Sequence, residues 1–218
     1  DCFADISDPQ NRRFEYPFTN CTNCGPRYTI THSIPYDREK TSMSCFPMCP
    51  DCDQEYNNPL DRRFHAQPNA CPLCGPKIWL TDHRGQRICP DSSALTETVK
   101  ALIQGQTAAI KGLGGFHLAC DASNEYAVQR LRSRKNRWGK PLAVMVPDLE
   151  TVHRLACLSG KEEEWLTGTK RPILLIDKNN SCLPENLAPD THSLGLMLPY
   201  TPLHYLLLHL PSIFLIYT

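Results

Sequence analysis

Cys49-Pro50-Asp51-Cys52, eighteen residues, then Cys71-Pro72-Leu73-Cys74 reads C-x2-C-x18-C-x2-C, a spacing that folds a short chain around a metal ion. The same text stands fifty residues earlier as Cys2, eighteen residues, then Cys21-Thr22-Asn23-Cys24. The register holds between the cysteines too. Asp8-Pro9 matches Asn58-Pro59, Arg12-Arg13-Phe14 matches Arg62-Arg63-Phe64, and both knuckles continue into Gly-Pro. A duplication accounts for this better than chance. The offset places the counterpart of Cys49 two positions before Asp1, so the chain is read as a piece that starts inside its first metal site.

Four thiolates leave a zinc ion no open position, so Cys49, Cys52, Cys71 and Cys74 are expected to form a structural site. Spacing leaves two pairings open. In the sequential one, which the duplication favours, these four share one ion and Cys2, Cys21 and Cys24 hold another. In the nested one, Cys21 and Cys24 join Cys49 and Cys52. His65 stands between ligands, but four cysteines already complete the site. Arg12-Arg13 and Arg62-Arg63 are expected to form ion pairs within each finger rather than to bind phosphate.

Residues 1–80 are rich in turn formers and poor in periodic apolar residues, too few to offset the entropy of ordering the segment. Metal supplies the difference, on the order of 10 kcal/mol for small zinc peptides. The chain's 23 basic residues match its 23 acidic ones, which argues against a whole-chain field for nucleic acid or acidic membranes. No apolar run approaches the roughly 20 residues of a membrane span. Twelve cysteines in paired C-x2-C spacing point to reduced thiols on metal, hence to a cytoplasmic protein, and Cys89, without a nearby partner, reads as inert.

Residues 81–93 read as a linker, and 94–218 as a sheet domain. Periodicity predicts helices over 94–104, 124–134, 149–157, 162–166 and 202–209, and strands over 107–113, 142–146, 172–176, 194–198 and 213–217. That alternation indicates an α/β or α+β fold. Two stretches in it carry chemistry. Lys111-Gly112-Leu113-Gly114-Gly115-Phe116-His117 reads as a glycine-rich turn whose N–H groups converge on an anion, without the spacing of a known dinucleotide fingerprint. Arg130, Arg132, Arg134, Lys135, Arg137 and Lys140 form a basic run with no acid between Glu125 and Asp148, its arginines 130, 134 and 137 on one helical face. Such a run suits phosphate; a solvated helix face is the bland alternative.

The duplicated fingers with Arg-Arg-Phe inside, then Lys111-Gly112-x-Gly114-Gly115-Phe116-His117-Leu118-Ala119-Cys120-Asp121-Ala122, then Lys135-x-Arg137 and Lys140-Pro141-Leu142-Ala143-Val144-Met145, closely resemble the HypF carbamoyltransferase family of [NiFe]-hydrogenase maturation. The resemblance implies an α/β (α+β) YrdC/Sua5-like twisted sheet domain preceded by a tandem zinc-finger module. It implies an adenylate-forming carbamoyltransferase using ATP with Mg²⁺ and carbamoyl phosphate. The product would be a carbamoyl adenylate, and the carbamoyl group would pass to the C-terminal cysteine of HypE for cyanide ligand synthesis. Lys135 and Arg137 match the family's K-x-R phosphate-binding motif and are expected to act catalytically. Arg132 and Lys140 are expected as secondary groups, and the turn of Lys111, Gly112, Gly114, Gly115, Phe116 and His117 as the wall of the small acyl pocket or the nucleotide site. Tyr200, Thr201, Pro202 and His204 are expected at the cleft border. The family's acylphosphatase-like, Ser-x-Asn and kinase-like parts are missing, which puts full activity of this stretch in doubt. Two other readings stand beside it: a zinc-finger plus YrdC-like module for double-stranded RNA, and a relative of threonylcarbamoyl-adenylate synthases.

Overall fold

The computed structural model describes residues 1–179, 183–209 and 215–217, of which the side chains of 216 and 217 are left aside. The chain divides into two compact units, residues 1–91 with 201–206, and residues 92–200 with 207–218.

In the first unit each finger opens on a short helix, α1 (Cys2–Ser7) and α2 (Pro50–Asn57). Pro50 starts α2 at a position where its missing N–H has no intrahelical role, and Cys49 is the N-cap. Neither helix is among the sequence expectations. Each buries a single residue, Ile6 in α1 and Cys52 in α2, so neither displays an apolar stripe that periodicity would detect. The duplication then repeats bond by bond. Asn11 N–H donates to Asp8 O and Asp61 N–H to Asn58 O, each at 3.0 Å; Glu15 N–H donates to Ile6 O and His65 N–H to Tyr56 O, each again at 3.0 Å. Glu15 and His65 both adopt left-handed backbone, with φ of 53° and 51°. Between the fingers, Arg38 clamps the connector by donating to the carbonyls of Gln67 (2.6 Å), Asn69 (2.8 Å) and Phe46 (2.7 Å). Tyr16, Met43 and Ala70 make a core of only a few residues.

The second unit is a six-stranded sheet, β1 (Ala108–Lys111), β2 (Phe116–Asp121), β3 (Ala143–Met145), β4 (Leu174–Asp177), β5 (Ser193–Met197) and β6 (Leu215–Tyr217), in spatial order β1-β2-β6-β3-β5-β4. Only β3 and β5 pair in parallel; the other pairs are antiparallel. The interior strand β5 is buried along nearly its whole length, whereas the edge strands β1 and β4 alternate. That is the burial expected of strands covered on both faces and of strands at an edge. Helices α3 (Ala94–Ile103), α4 (Glu125–Lys135), α5 (Leu149–Leu155) and α6 (Gly160–Thr167) belong to this unit, and α7 (Pro202–His209) closes the helical set. Val128 and Leu131 of α4, Val144 of β3, Val152 and Leu155 of α5 and Leu196 of β5 meet in one core.

The element boundaries correct the sequence reading in two places. The glycine-rich stretch after β1 is a turn of four residues only. From Phe116 the chain is already strand β2, paired Lys111 to Phe116 through Ala108 to Ala119. Alternation was hidden there because Ala119, Cys120 and Asp121 are buried in succession. Helix α4 ends at Lys135, where Asn136 takes the left-handed conformation at φ 49°; Arg137 is past the helix and shares no helical face with Arg130 and Arg134. The last expected strand begins at 213, and residues 213 and 214 lie outside the described residues.

Candidate functional site

Two cysteine clusters form in the first unit, Cys49 with Cys52, Cys71 and Cys74, and Cys2 with Cys21 and Cys24, each with its sulfurs within 4.8 Å of one another. The grouping is sequential, not nested. In the second cluster Cys49 and Cys71 are 3.7 Å apart, Cys71 and Cys74 3.8 Å, and Cys52 and Cys74 3.6 Å. A zinc tetrahedron with bonds of about 2.3 Å has edges of roughly 3.8 Å, whereas a disulfide would bring two sulfurs to about 2.05 Å. The four donors therefore fit zinc as they stand. In the first cluster Cys21 lies 3.7 Å and Cys2 3.5 Å from Cys24, three corners of the same figure. His65 belongs to neither cluster; its ring packs edge-on against Phe64 at 4.4 Å.

The two knuckle glycines meet different demands. Gly25 has a φ of 102°, which a side chain rarely adopts, while a Cβ on Gly75 would fall 2.1 Å from the Tyr16 hydroxyl and 2.5 Å from the Ala70 Cβ. Gly25 is needed for conformation and for space, since a Cβ there would also fall 2.8 Å from the Asn20 Cβ, and Gly75 for space alone.

The arginine pairs are ion-paired, chiefly across the fingers, which corrects most of the expectation of pairing within each; Arg63 also stands 3.8 Å from Glu55 of its own finger. Arg12 and Arg13 reach Glu55 at 2.7 and 2.6 Å, and Arg62 and Arg63 both reach Asp5. Burial would raise the Glu55 carboxyl, but the two guanidinium groups outweigh it and hold the group at about 2. The sulfurs are engaged as well: Arg12 donates to Cys52 Sγ through both terminal nitrogens at 3.4 Å, and Arg62 donates to Cys2 Sγ at 3.2 Å. The bond shared with Cys24 draws the Cys2 thiol down, burial opposes it and Arg62 adds to the lowering, leaving it at about 5. Burial works against ionisation of Cys74 too, but backbone N–H groups of Cys49 and Cys71 bring it to about 7. Their neighbours move the other way: the bond shared with Cys2 pushes the Cys24 thiol up, and burial pushes up Cys52 and Cys71.

In the second unit Lys111, Gly112, Gly114, Gly115, Phe116 and His117 make the β1–β2 hairpin turn and its flanks. The Gly112 N–H donates to Gly115 O at 2.7 Å, so it closes the turn instead of facing an anion. Lys111 Nζ stands 5.0 Å over the ring of Phe116, which is 69% exposed. The His117 ring packs on Gly112 so closely that a Cβ there would come within 2.7 Å of it.

Lys135 ends α4, and Arg137 and Lys140 follow in the loop before β3. Arg137 Nη2 donates to Pro141 O at 2.6 Å, which orients it along that loop. Cations here also offset the negative end of the α4 dipole, a structural reason for part of the basic run. Arg132 departs from the expectation of a secondary phosphate group. It is 2% exposed, and its guanidinium donates to the carbonyls of Asn186, Arg137 (2.8 Å), Trp138 (3.1 Å), Lys140 (3.0 Å) and Leu187 (2.9 Å). It holds the loop that carries Arg137 and Lys140 in place. Its helical spacing with neighbouring arginines gave no sign of this, because the carbonyls it satisfies lie more than fifty residues away as well as nearby.

Residues 1–31 and 48–81 match the HypF finger family, and residues 100–218 match the Sua5, YciO and YrdC family described as Telomere recombination. Carbamoyltransferase HypF2 of Cupriavidus necator is 54% identical over 211 residues, 96% of this chain and 26% of its own length. A probable carbamoyltransferase HypF of Methanocaldococcus jannaschii is 44% identical over 209 residues, 95% of this chain and 27% of its own. The chain thus spans about a quarter of the relatives it matches. The crystal structure of T. kodakarensis HypF superposes with a TM-score of 0.95 at 49% identity, covering all of this chain and 28% of that one. Full-length HypF in a phosphate- and nucleotide-bound form gives 0.90 at 46% identity, again over all of this chain and 28% of that one. P. abyssi Sua5 shares the fold alone, with a TM-score of 0.52 at 19% identity over 57% of this chain and 38% of its own. Matched in both units and along nearly its whole length, the chain belongs to the HypF family, its second unit carrying the Sua5/YrdC fold.

Proposed function

We propose that this chain is the zinc-finger and nucleotide-binding portion of a carbamoyltransferase. The likeness to Carbamoyltransferase HypF2 across 96% of the chain carries the reading. In it, ATP with Mg²⁺ binds the second unit, and water cleaves carbamoyl phosphate to carbamate and inorganic phosphate. A carbamate oxygen then attacks the α-phosphate of ATP to give a carbamoyl adenylate and release pyrophosphate. The C-terminal cysteine thiol of a HypE-type protein takes the carbamoyl group on its sulfur, giving up its proton as AMP leaves. The cyanide ligands of [NiFe]-hydrogenase are the destination.

Charge supports the adenylation step. A triphosphate and its departing pyrophosphate need fixed cations near the reacting phosphorus, where they act without reorganisation. Lys135 and Arg137 are offered in that role, with Lys140 behind them, on a loop that Arg132 and the Arg137–Pro141 bond make rigid. The exposed Lys111–Phe116 pair on the hairpin is a suitable platform for a nucleobase or for the small carbamoyl group. Zinc at the Cys49 cluster would play no chemical part, since four thiolates leave it no open position.

Replacing Lys135 and Arg137 together by alanine should weaken ATP binding by about 100-fold or more, the sum of two contacts to a charged ligand. Zinc content should stay as it was. Calorimetry with ATP and Mg²⁺ beside elemental analysis checks both; unchanged ATP affinity would overturn the assignment.

A further inference from the structure

In the first unit the repeated Arg-Arg pair of each finger serves the other finger. Arg12 and Arg13 stand in the loop between Cys2 and Cys21, yet they bond Cys52 Sγ at 3.4 and 3.6 Å and pair with Glu55, a turn further along α2. Arg62 stands between Cys52 and Cys71, yet it bonds Cys2 Sγ at 3.2 Å, and with Arg63 it pairs with Asp5 of α1. The second arginine of each pair adds a backbone grip beside the opposite knuckle. Arg13 Nε donates to Ala70 O at 2.9 Å, next to Cys71, and Arg63 Nε donates to Asn20 O at 3.1 Å, next to Cys21. Apart from Arg63, which also stands 3.8 Å from Glu55 of its own finger, contact i to j is matched by contact j to i, as in a two-fold interface between identical subunits, here within one chain.

A zinc ion with four thiolates carries a net charge of about −2, and donors to the sulfurs are what make such a cluster tolerable when half-buried. Backbone N–H groups of the same finger supply some of those donors, and the charged ones, the guanidinium groups, come from the opposite finger, on a loop whose ends are its own metal ligands. Asn11 and Asp61 fix the two loops alike, accepting from Arg13 N at 2.9 Å and Arg63 N at 2.8 Å.

We infer that the two metal centres are coupled through these crossed arginines: each finger, once closed on its ion, holds in place the guanidinium that neutralises the thiolates of the other. Arg12 and Arg62 are positioning residues for the opposite site, and the pair of sites takes up and loses zinc cooperatively. Coupling of this kind is reciprocal. The inference rests on the reading of both clusters as zinc sites.

Site-resolved alkylation tests it. Zinc-loaded protein is mixed with excess chelator, samples are quenched into a thiol-alkylating reagent, and mass spectrometry follows each cysteine. Arg12→Ala should hasten exposure of Cys49, Cys52, Cys71 and Cys74 by about 10-fold or more, the usual effect of losing a group that supports a metal ligand. Cys21 and Cys24, on Arg12's own finger, should change less. Arg62→Ala should do the reverse. Equal acceleration of both clusters, acceleration confined to the mutated finger, or none would overturn the crossed coupling. A second variant, Cys21→Ser with Cys24→Ser, should speed zinc loss from the Cys49 cluster in the wild-type background and add much less when Arg12→Ala is already present, Arg13 being the donor left on that loop. Additive effects would refute transmission through Arg12. Alkylation of all seven cysteines before any chelator is added would instead refute the zinc reading itself.

Discussion

Glu55 shows how one side chain can tie a fold together. Arg12 and Arg13 both pair with it, and Arg13 is 2% exposed, so removing the carboxylate strands a buried charge. Because Glu55 keeps some contact with water, Glu55→Gln should cost the low end of the range for a broken buried pair, about 2 to 3 kcal/mol, read from urea unfolding at neutral pH. The carboxyl is held at about 2 against an ordinary 4.5. Its depressed value means that its stabilisation is complete above about 4.5 and drains as pH falls from there towards 2. The stability difference between wild type and Glu55→Gln should therefore shrink across that window, and a constant difference would show that Glu55 does not ionise as described. Nothing in the sequence marks Glu55 as a partner of residues forty positions upstream. Its equivalence to Asp5 at the repeat offset is the one signal that could have found it, since both acids fall in the same turn after a ligand cysteine.

At the scale of elements, the knuckles and hairpins were legible to different degrees. Both C-x2-C turns were readable from spacing because a metal imposes the same geometry wherever its ligands occur. The packing on them was not. Gly75→Ala should destabilise the second finger by about 1 to 3 kcal/mol, the cost of overpacking, because its Cβ would overlap Tyr16 and Ala70. Thermal unfolding of the zinc-loaded variant checks this, and a melting curve like that of wild type would mean that Tyr16 moves aside freely. Strand β2 was missed for the opposite reason. Gly112 to Gly115 announces a turn, but the sequence after it lacks alternation, since an interior strand buries successive residues on both faces. Helix α4 was found with nearly correct ends, because Asn124 caps its first turn by accepting from Ala127 N at 3.1 Å. Its C-terminal limit at Asn136 depends on a left-handed residue that the basic run masked.

The whole molecule joins two units stabilised by different means. The second has a continuous apolar core, from Val128 and Leu131 to Val144 and Leu196. The first has a core of only a few residues and relies on its cysteine clusters and crossed ion pairs. Stripping zinc with a strong chelator should therefore unfold one unit and leave the other. Hydrogen exchange followed by mass spectrometry should show residues 1–80 losing protection while β3 and β5 keep theirs; loss across both would mean that the sheet depends on the fingers. Among the described residues no helix is long and apolar enough to cross a membrane. The sequence by itself determined which cysteines would cluster as candidate metal ligands, the duplication and most of the helices and strands of the second unit, because ligand spacing, repeat register and hydrophobic period are local properties of a chain. Only the tertiary structure decided that the cysteines group sequentially, that the arginines of each finger serve the other, and that Arg132 binds carbonyls instead of phosphate. Those are contacts between residues distant in sequence, and which donor meets which acceptor there is set by how the elements pack, not by any spacing along the chain.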